Sequence, residues 1–162
     1  MKPPSPDNGF LADHVARLLD SYRHWTGQAL LPPHPDPAVT AERLYHAPFV
    51  VVSHGTGDDP CFDYGNALAL ELFELDWAGF TRLPSRRSAA TAEQAQRAEL
   101  LARVSANGFI DDYSGIRISA SGRRFLIEGA VVWNLLDRDG RISGQAATFS
   151  RWTPLGQPSK RA

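Results

Sequence analysis

The chain is short of several things, and each shortage removes a class of explanation. It has a single cysteine, Cys61, which cannot close an internal disulfide and fits a reducing compartment. Net charge is nearly absent, with 17 basic residues against 18 acidic ones. No basic arm or stripe stands out, so nucleic-acid binding, which runs on phosphate neutralisation, is not expected. No run of about eighteen apolar residues occurs, so no membrane-spanning helix is expected. Behind the opening Met1, Lys2, Pro3 and Pro4 there is no apolar core of signal-peptide length. The expectation is a soluble cytoplasmic protein. Catalytic signatures are missing too: there is no serine nucleophile elbow, phosphate-binding glycine loop, paired-histidine metalloprotease helix or CxxC pair. The histidines, His14, His24, His34, His46 and His54, make no tight metal triad. No catalytic residue, metal ligand or cofactor is therefore assigned.

What is present suits one hydrophobic core. Residues 1–8 are proline-rich and expected to be disordered, as is the tail at 154–162. Residues 9–47 read as a helical extension. From Phe10, apolar residues including Val15, Leu18, Leu19, Tyr22 and Trp25 recur at helical spacing, with Asp7 or Asn8 as a cap. Pro32, Pro33, Pro35 and Pro37 then form a stiff connector to a short helix over 38–45. The compact part, 48–153, begins with an apolar strand at 48–54 and a second at 61–66. Asn66 caps a buried helix at 67–73, and a helical turn follows at 76–80. A helix at 91–104 is expected next, capped by Thr91 with Gln94 three positions on, burying Ala95, Ala98, Leu101, Ala102 and Val104.

The carboxy-terminal third carries the clearest signal. Segments 109–119, 124–136 and 145–152 are strand-like, joined by tight turns at 120–123 and 137–141 with no room for a helix. They must form an antiparallel meander. Strict alternation along the middle segment puts Phe125, Ile127, Val131, Trp133 and Leu135 on one face and Leu126, Ala130, Val132 and Leu136 on the other. Both faces are apolar, so both need a cover. The expected architecture is α+β: a five-stranded antiparallel sheet with short helices on one face and the amino-terminal amphipathic helix, or a second subunit, on the other.

Polar residues written into apolar strands are the candidates for a site, because a buried polar group needs a partner. Arg117 either pairs with Glu128 on the adjacent strand or is exposed, or else it lines a cavity. Asn134 and Gln145 either satisfy one another and the helices or orient a ligand. Arg86 and Arg87 beside Ser85 and Ser88 either grip an anion or belong to a connecting loop. Trp77 and Phe80 are either aromatics over a pocket or core. Cys61 has no histidine near it in the sequence and reads as inert packing.

Particular stretches go beyond pattern. Residues 62–73, with Asp63, Tyr64, Gly65 and Asn66, residues 83–89, residues 112–119, Val132 to Leu135, and the segment from Gly144 to Phe149 resemble the MEKHLA domain, a PAS-related module. The likeness runs over roughly residues 10–152. It implies that 48–153 is a PAS-like domain and that the chain is a sensory or interaction module binding a small organic molecule or a partner protein. Two departures bear on cofactors: the lone cysteine lies outside the helix motif of blue-light PAS domains, and the 91–104 helix has no histidine for haem iron. The pocket residues expected are Trp77, Arg86, Tyr113, Arg117, Asn134 and Gln145, with an arginine meeting an anionic group. A homodimer through the amino-terminal helix is expected. The alternatives are a ligand-free structural interaction domain and a small-molecule enzyme using His54 as a base.

Overall fold

The computed structural model describes residues 2–89 and 94–156, and of residues 94–97 the backbone alone. In chain order the elements are α1 (Ala12–Thr26), α2 (Pro37–Tyr45), β1 (Val50–His54), β2 (Phe62–Gly65), α3 (Ala67–Phe73), α4 (Trp77–Phe80), α5 (Gln94–Asn107), β3 (Phe109–Ile118), β4 (Arg124–Leu136), β5 (Ile142–Phe149) and β6 (Arg151–Pro154), with 3-10 turns at Pro6–Asn8 and Ser85–Ser88. The strands form one antiparallel sheet in the order β2-β1-β5-β4-β3, and β6 also lies beside β4. β5 and β6 are two halves of one strand. Glu128 faces Arg151 and Val131 faces Thr148, so the register is unchanged across the break at Ser150.

Side-chain caps start the short helices where the sequence places them. Asn66 Oδ1 accepts from the Ala69 amide, while its Nδ2 donates to the carbonyls of Leu44 and Phe49, tying α3 to the approach to β1. Asp36 and Asp76 cap α2 and α4 in the same way. The Thr91 cap lies outside the described residues. The start of α1 differs from the expectation. Asn8 bonds Ser5 within the 3-10 turn at Pro6–Asn8, in the stretch expected to be disordered, and Pro4 is buried. Phe10 and Leu11 then adopt positive φ, and α1 begins at Ala12. At the other end Leu155 still donates to the Arg124 carbonyl, and residues 157–162 of the expected tail lie outside the described residues.

α1 covers one face of the sheet. Val15 and Leu18 are buried against Val51, Tyr64, Trp133, Leu135 and Ala146, each such side chain contributing about 2 kcal/mol relative to exposure. The helix also finishes a sheet edge. β3 begins at Phe109, opposite Trp133, so the last residues of β4 have no β3 neighbour. Trp25 Nε1 donates to the Asn134 carbonyl at 2.9 Å, and the Leu136 amide donates to Ser21 Oγ at 2.8 Å. One helical turn advances about 5.4 Å and two strand residues about 6.8 Å, so residues 21 and 25 meet positions 136 and 134 in step.

The other face carries a phenylalanine cluster, Phe62, Phe73, Phe80 and Phe125, with Val50, Val52, Ile127, Ala130 and Phe149. Beside it α5 packs Leu100 and Val104 on Ile110 and Val132. Two expectations about faces need correction. On α5 Val104 is buried as expected, but the residue that turns inward with it is Leu100, while Ala98 and Ala102 are exposed and the side chain of Ala95 lies outside those described. On β4 the strict alternation fails at Gly129, which sits at φ +63° where the pairing with β3 slips between Tyr113 and Gly115. The bulge moves the strand one residue out of phase. Phe125 and Ile127 therefore share the inner face with Ala130 and Val132, while Val131, Trp133 and Leu135 lie under α1.

Candidate functional site

Between the inner face of the sheet, the Ser85–Ser88 turn and α5 lies a cavity of about 60 Å³, room for roughly four waters. Its walls are mostly apolar, from Val52, Phe73, Ile127, Ala130 and Phe149, with polar positions at His54, Ser85, Ser88, Tyr113, Arg117 and Gln145. Next to it an outer groove of about 310 Å³ runs along residues 55–60 and α5. His54, Ser85, Leu101 and Gln145 border both spaces, so they form the partition between them.

The structure divides the six expected residues. Tyr113, Arg117 and Gln145 line the cavity, with the Arg117 guanidinium 5.4 Å from the centre of the Tyr113 ring, within cation–π range. In the strand register Arg117 faces Phe125, and the exposed Glu128 faces Arg151. Asn134 is buried but borders only the groove. Its Nδ2 donates to the Val104 carbonyl at 3.2 Å and its Oδ1 accepts from Gln145 Nε2 at 3.2 Å. Arg86 points outward, pairing with Asp59 at 2.8 Å across the groove rim. Trp77 packs edge-on against Tyr64 in the cluster that α1 covers, 6.2 Å between ring centres, and does not line the cavity.

The Ser85–Ser88 turn explains the reversal at Arg86. In a 3-10 turn residues three apart share a side, so Ser85 and Ser88 face the cavity while Arg86 and Arg87 are exposed. Ser88 Oγ donates to the Ser85 carbonyl. The hydroxyl pair three residues apart was the sequence signal for this lining, masked by the more conspicuous arginines. Leu100 was missed for the related reason that the register of α5 was taken from its alanines. Cys61 is exposed, its thiol against the Arg82 carbonyl, and does not line the cavity.

A second polar cluster holds α1 to the sheet. Ser53 Oγ donates to Asp63 Oδ1, and His14 Nε2 lies 2.9 Å from Ser53 Oγ and 3.6 Å from Asp63. Because the serine proton goes to the carboxylate, the histidine Nε2–H is the donor to Ser53. Burial lowers the His14 pKa, the nearby Asp63 opposes this, and Arg17 adds to it. Tyr64 stacks on His14, and burial raises the pKa of its phenol. Among the described residues no group of three or more His, Cys, Asp or Glu side chains could hold a metal, and no helix is long and apolar enough to cross a membrane.

The antiparallel sheet, with short helices and a cavity on one face, is the architecture of PAS and light-oxygen-voltage sensory domains. A PAS domain from Colwellia psychrerythraea superposes with a TM-score of 0.61 at 10% identity, covering 72% of this chain and 94% of that one. An RNA-binding light-oxygen-voltage receptor gives 0.61 at 16% identity over 75% of this chain and 34% of its own. The LOV domain of a blue-light activated histidine kinase from Erythrobacter litoralis gives 0.55 at 17% identity, covering 69% of this chain and 100% of that domain. At these identities the likeness is one of fold. The family is set by sequence: the model of the MEKHLA domain matches residues 12–154, and the chain belongs to that family. No curated protein matches the chain.

Proposed function

We propose that this chain is a sensory module that holds a small organic molecule in the cavity between sheet and helices, and that α1 carries the state of that cavity to a partner. One observation supports the reading above the others. Gln145 is 9% exposed, lines the cavity, and its buried Oε1 has no hydrogen-bond partner among the described residues. A buried acceptor takes a donor from whatever fills the cavity beside it, so a bound molecule with an N–H or O–H has a fixed point of attachment there. The link to α1 is short: Gln145 bonds the Asn134 side chain, and the Asn134 carbonyl accepts from Trp25. Native mass spectrometry of protein purified without added cofactors tests the reading, with an absorbance spectrum to reveal a chromophore. A stoichiometric adduct is expected; a bare chain mass with water-only density in the cavity would overturn it.

A second reading, a structural interaction domain with no ligand, draws on the cavity's small volume, far below the roughly 300–1,000 Å³ of ordinary ligand sites. Under it the same spectra show bare chain. For the enzyme alternative, His54 stands at the partition with Nδ1 bonded to the Gly55 carbonyl, and this position is its sole support. Residues 48–153 remain the proposed unit, with 9–47 as its extension. The balanced charge argues against nucleic acid as a partner, and the single cysteine favours a cytoplasmic setting. A homodimer through α1 now rests on the outward side of that helix, Asp13, Ala16, Asp20 and Arg23, because its apolar stripe faces the chain's own sheet. Light scattering that returned one chain mass would exclude it.

A further inference from the structure

The cavity carries a definite polarity, fixed from a group that cannot be turned round. The Val104 carbonyl is backbone and only accepts; it takes the Gly108 amide at 2.7 Å and Asn134 Nδ2 at 3.2 Å, one for each lone pair. Turning the Asn134 amide would set two oxygens against each other, so its Oδ1 is held away from α5. There it accepts from Gln145 Nε2. That bond in turn fixes the Gln145 amide, since the reverse orientation would again oppose oxygen to oxygen. The end of this relay is Gln145 Oε1, buried and without a partner among the described residues, at the partition between cavity and groove.

We infer that the site selects a small ligand that presents an N–H or O–H donor to Gln145 Oε1 and an apolar body to the walls around it. The inference rests on the proposed ligand-binding role of the cavity and narrows it. Ile127, Ala130, Val132 and Phe149 would take that apolar body; a carboxylate or phosphate is disfavoured at the glutamine oxygen itself, where an anion would meet an acceptor, while the cation of the same lining, Arg117, stands over the Tyr113 ring. The volume limits the part of the ligand inside the cavity to a group of about five heavy atoms, and any larger remainder would emerge past His54 into the groove.

Pyrrole and furan test this directly, being five-membered rings of nearly equal shape of which only pyrrole has an N–H. Each is titrated into the full chain, with the Gln145 side-chain amide followed by NMR. Pyrrole should bind about tenfold more tightly than furan, the value of one hydrogen bond to a buried acceptor, and should shift the Gln145 amide resonances. In Gln145→Leu the preference should disappear while both rings still bind. Equal binding of the two rings to the unaltered chain would overturn the donor rule and leave the ligand site standing. Binding of neither would overturn both, and because these comparisons use the unaltered protein they do not depend on the variant folding.

Discussion

Asn134 joins three parts of the molecule through its own atoms. The side chain bridges the α5 carboxy-terminal end and Gln145, the amide donates to the Gly108 carbonyl, and the carbonyl accepts from Trp25. Asn134→Ala should therefore lower stability by about 2–3 kcal/mol, because it takes the acceptor from buried Gln145 Nε2 and one of two donors from the Val104 carbonyl; urea denaturation measures this. Gly129 makes the second residue-level prediction. At φ +63° a side chain is strained, and a Cβ there would lie 2.8 Å from Arg151 Nη2. The arginine tip can yield, so the backbone strain dominates. Gly129→Ala should cost about 1–2 kcal/mol, seen as a lower melting temperature, and Gly129→Asn should recover part of it.

At the scale of elements, the docking of α1 should respond to pH. His14 is only 12% exposed in its side chain, and burial first, then Arg17, hold its pKa below the ordinary 6.5 against the pull of Asp63. The unfolded chain therefore takes up this proton before the folded one does. Its contribution is fully present above pH 6.5 and is lost as pH falls from there to the folded value. The urea midpoint should drop as pH falls below 6.5, and His14→Gln should flatten that drop. Hydrogen exchange should place the loosening in α1.

Much of the element order was legible in the sequence, because caps and turn residues act locally: Asn66 starts α3 and the 120–123 and 137–141 turns bound β4 as expected. What was not legible depends on phase. Alternation carried through Gly129 assigned Phe125 and Ile127 to the wrong face, since nothing in a run of apolar residues marks where a bulge resets the count. The same holds for the site. Gln145 was readable as a buried polar residue in an apolar strand, but whether Asn134 turned to a ligand or to α5 depended on the height at which α5 packs. Arg86 drew attention through charge, while the serines that do face the cavity differ from solvent-facing ones only in spacing.

For the whole molecule, the sheet is covered on both sides by the chain itself, with the phenylalanine cluster and α5 on one and α1 on the other. Deleting residues 1–31 should lay bare Trp133, Leu135, Val51 and Tyr64, all fully buried in the intact chain. Such a patch drives association, so the truncated chain should run as large species in light scattering where the full chain does not. If it stayed at its own mass, α1 would not be an integral cover.

The way α1 closes the end of β4 bears on how any outside chain would engage that edge. Ser21 and Trp25 already occupy the positions a new strand would need at Asn134 and Leu136. A newcomer would face a tethered rival, present at an effective concentration on the order of millimolar. Weak partners would be turned away until something first prised the helix loose, so access to that edge is governed from within the chain.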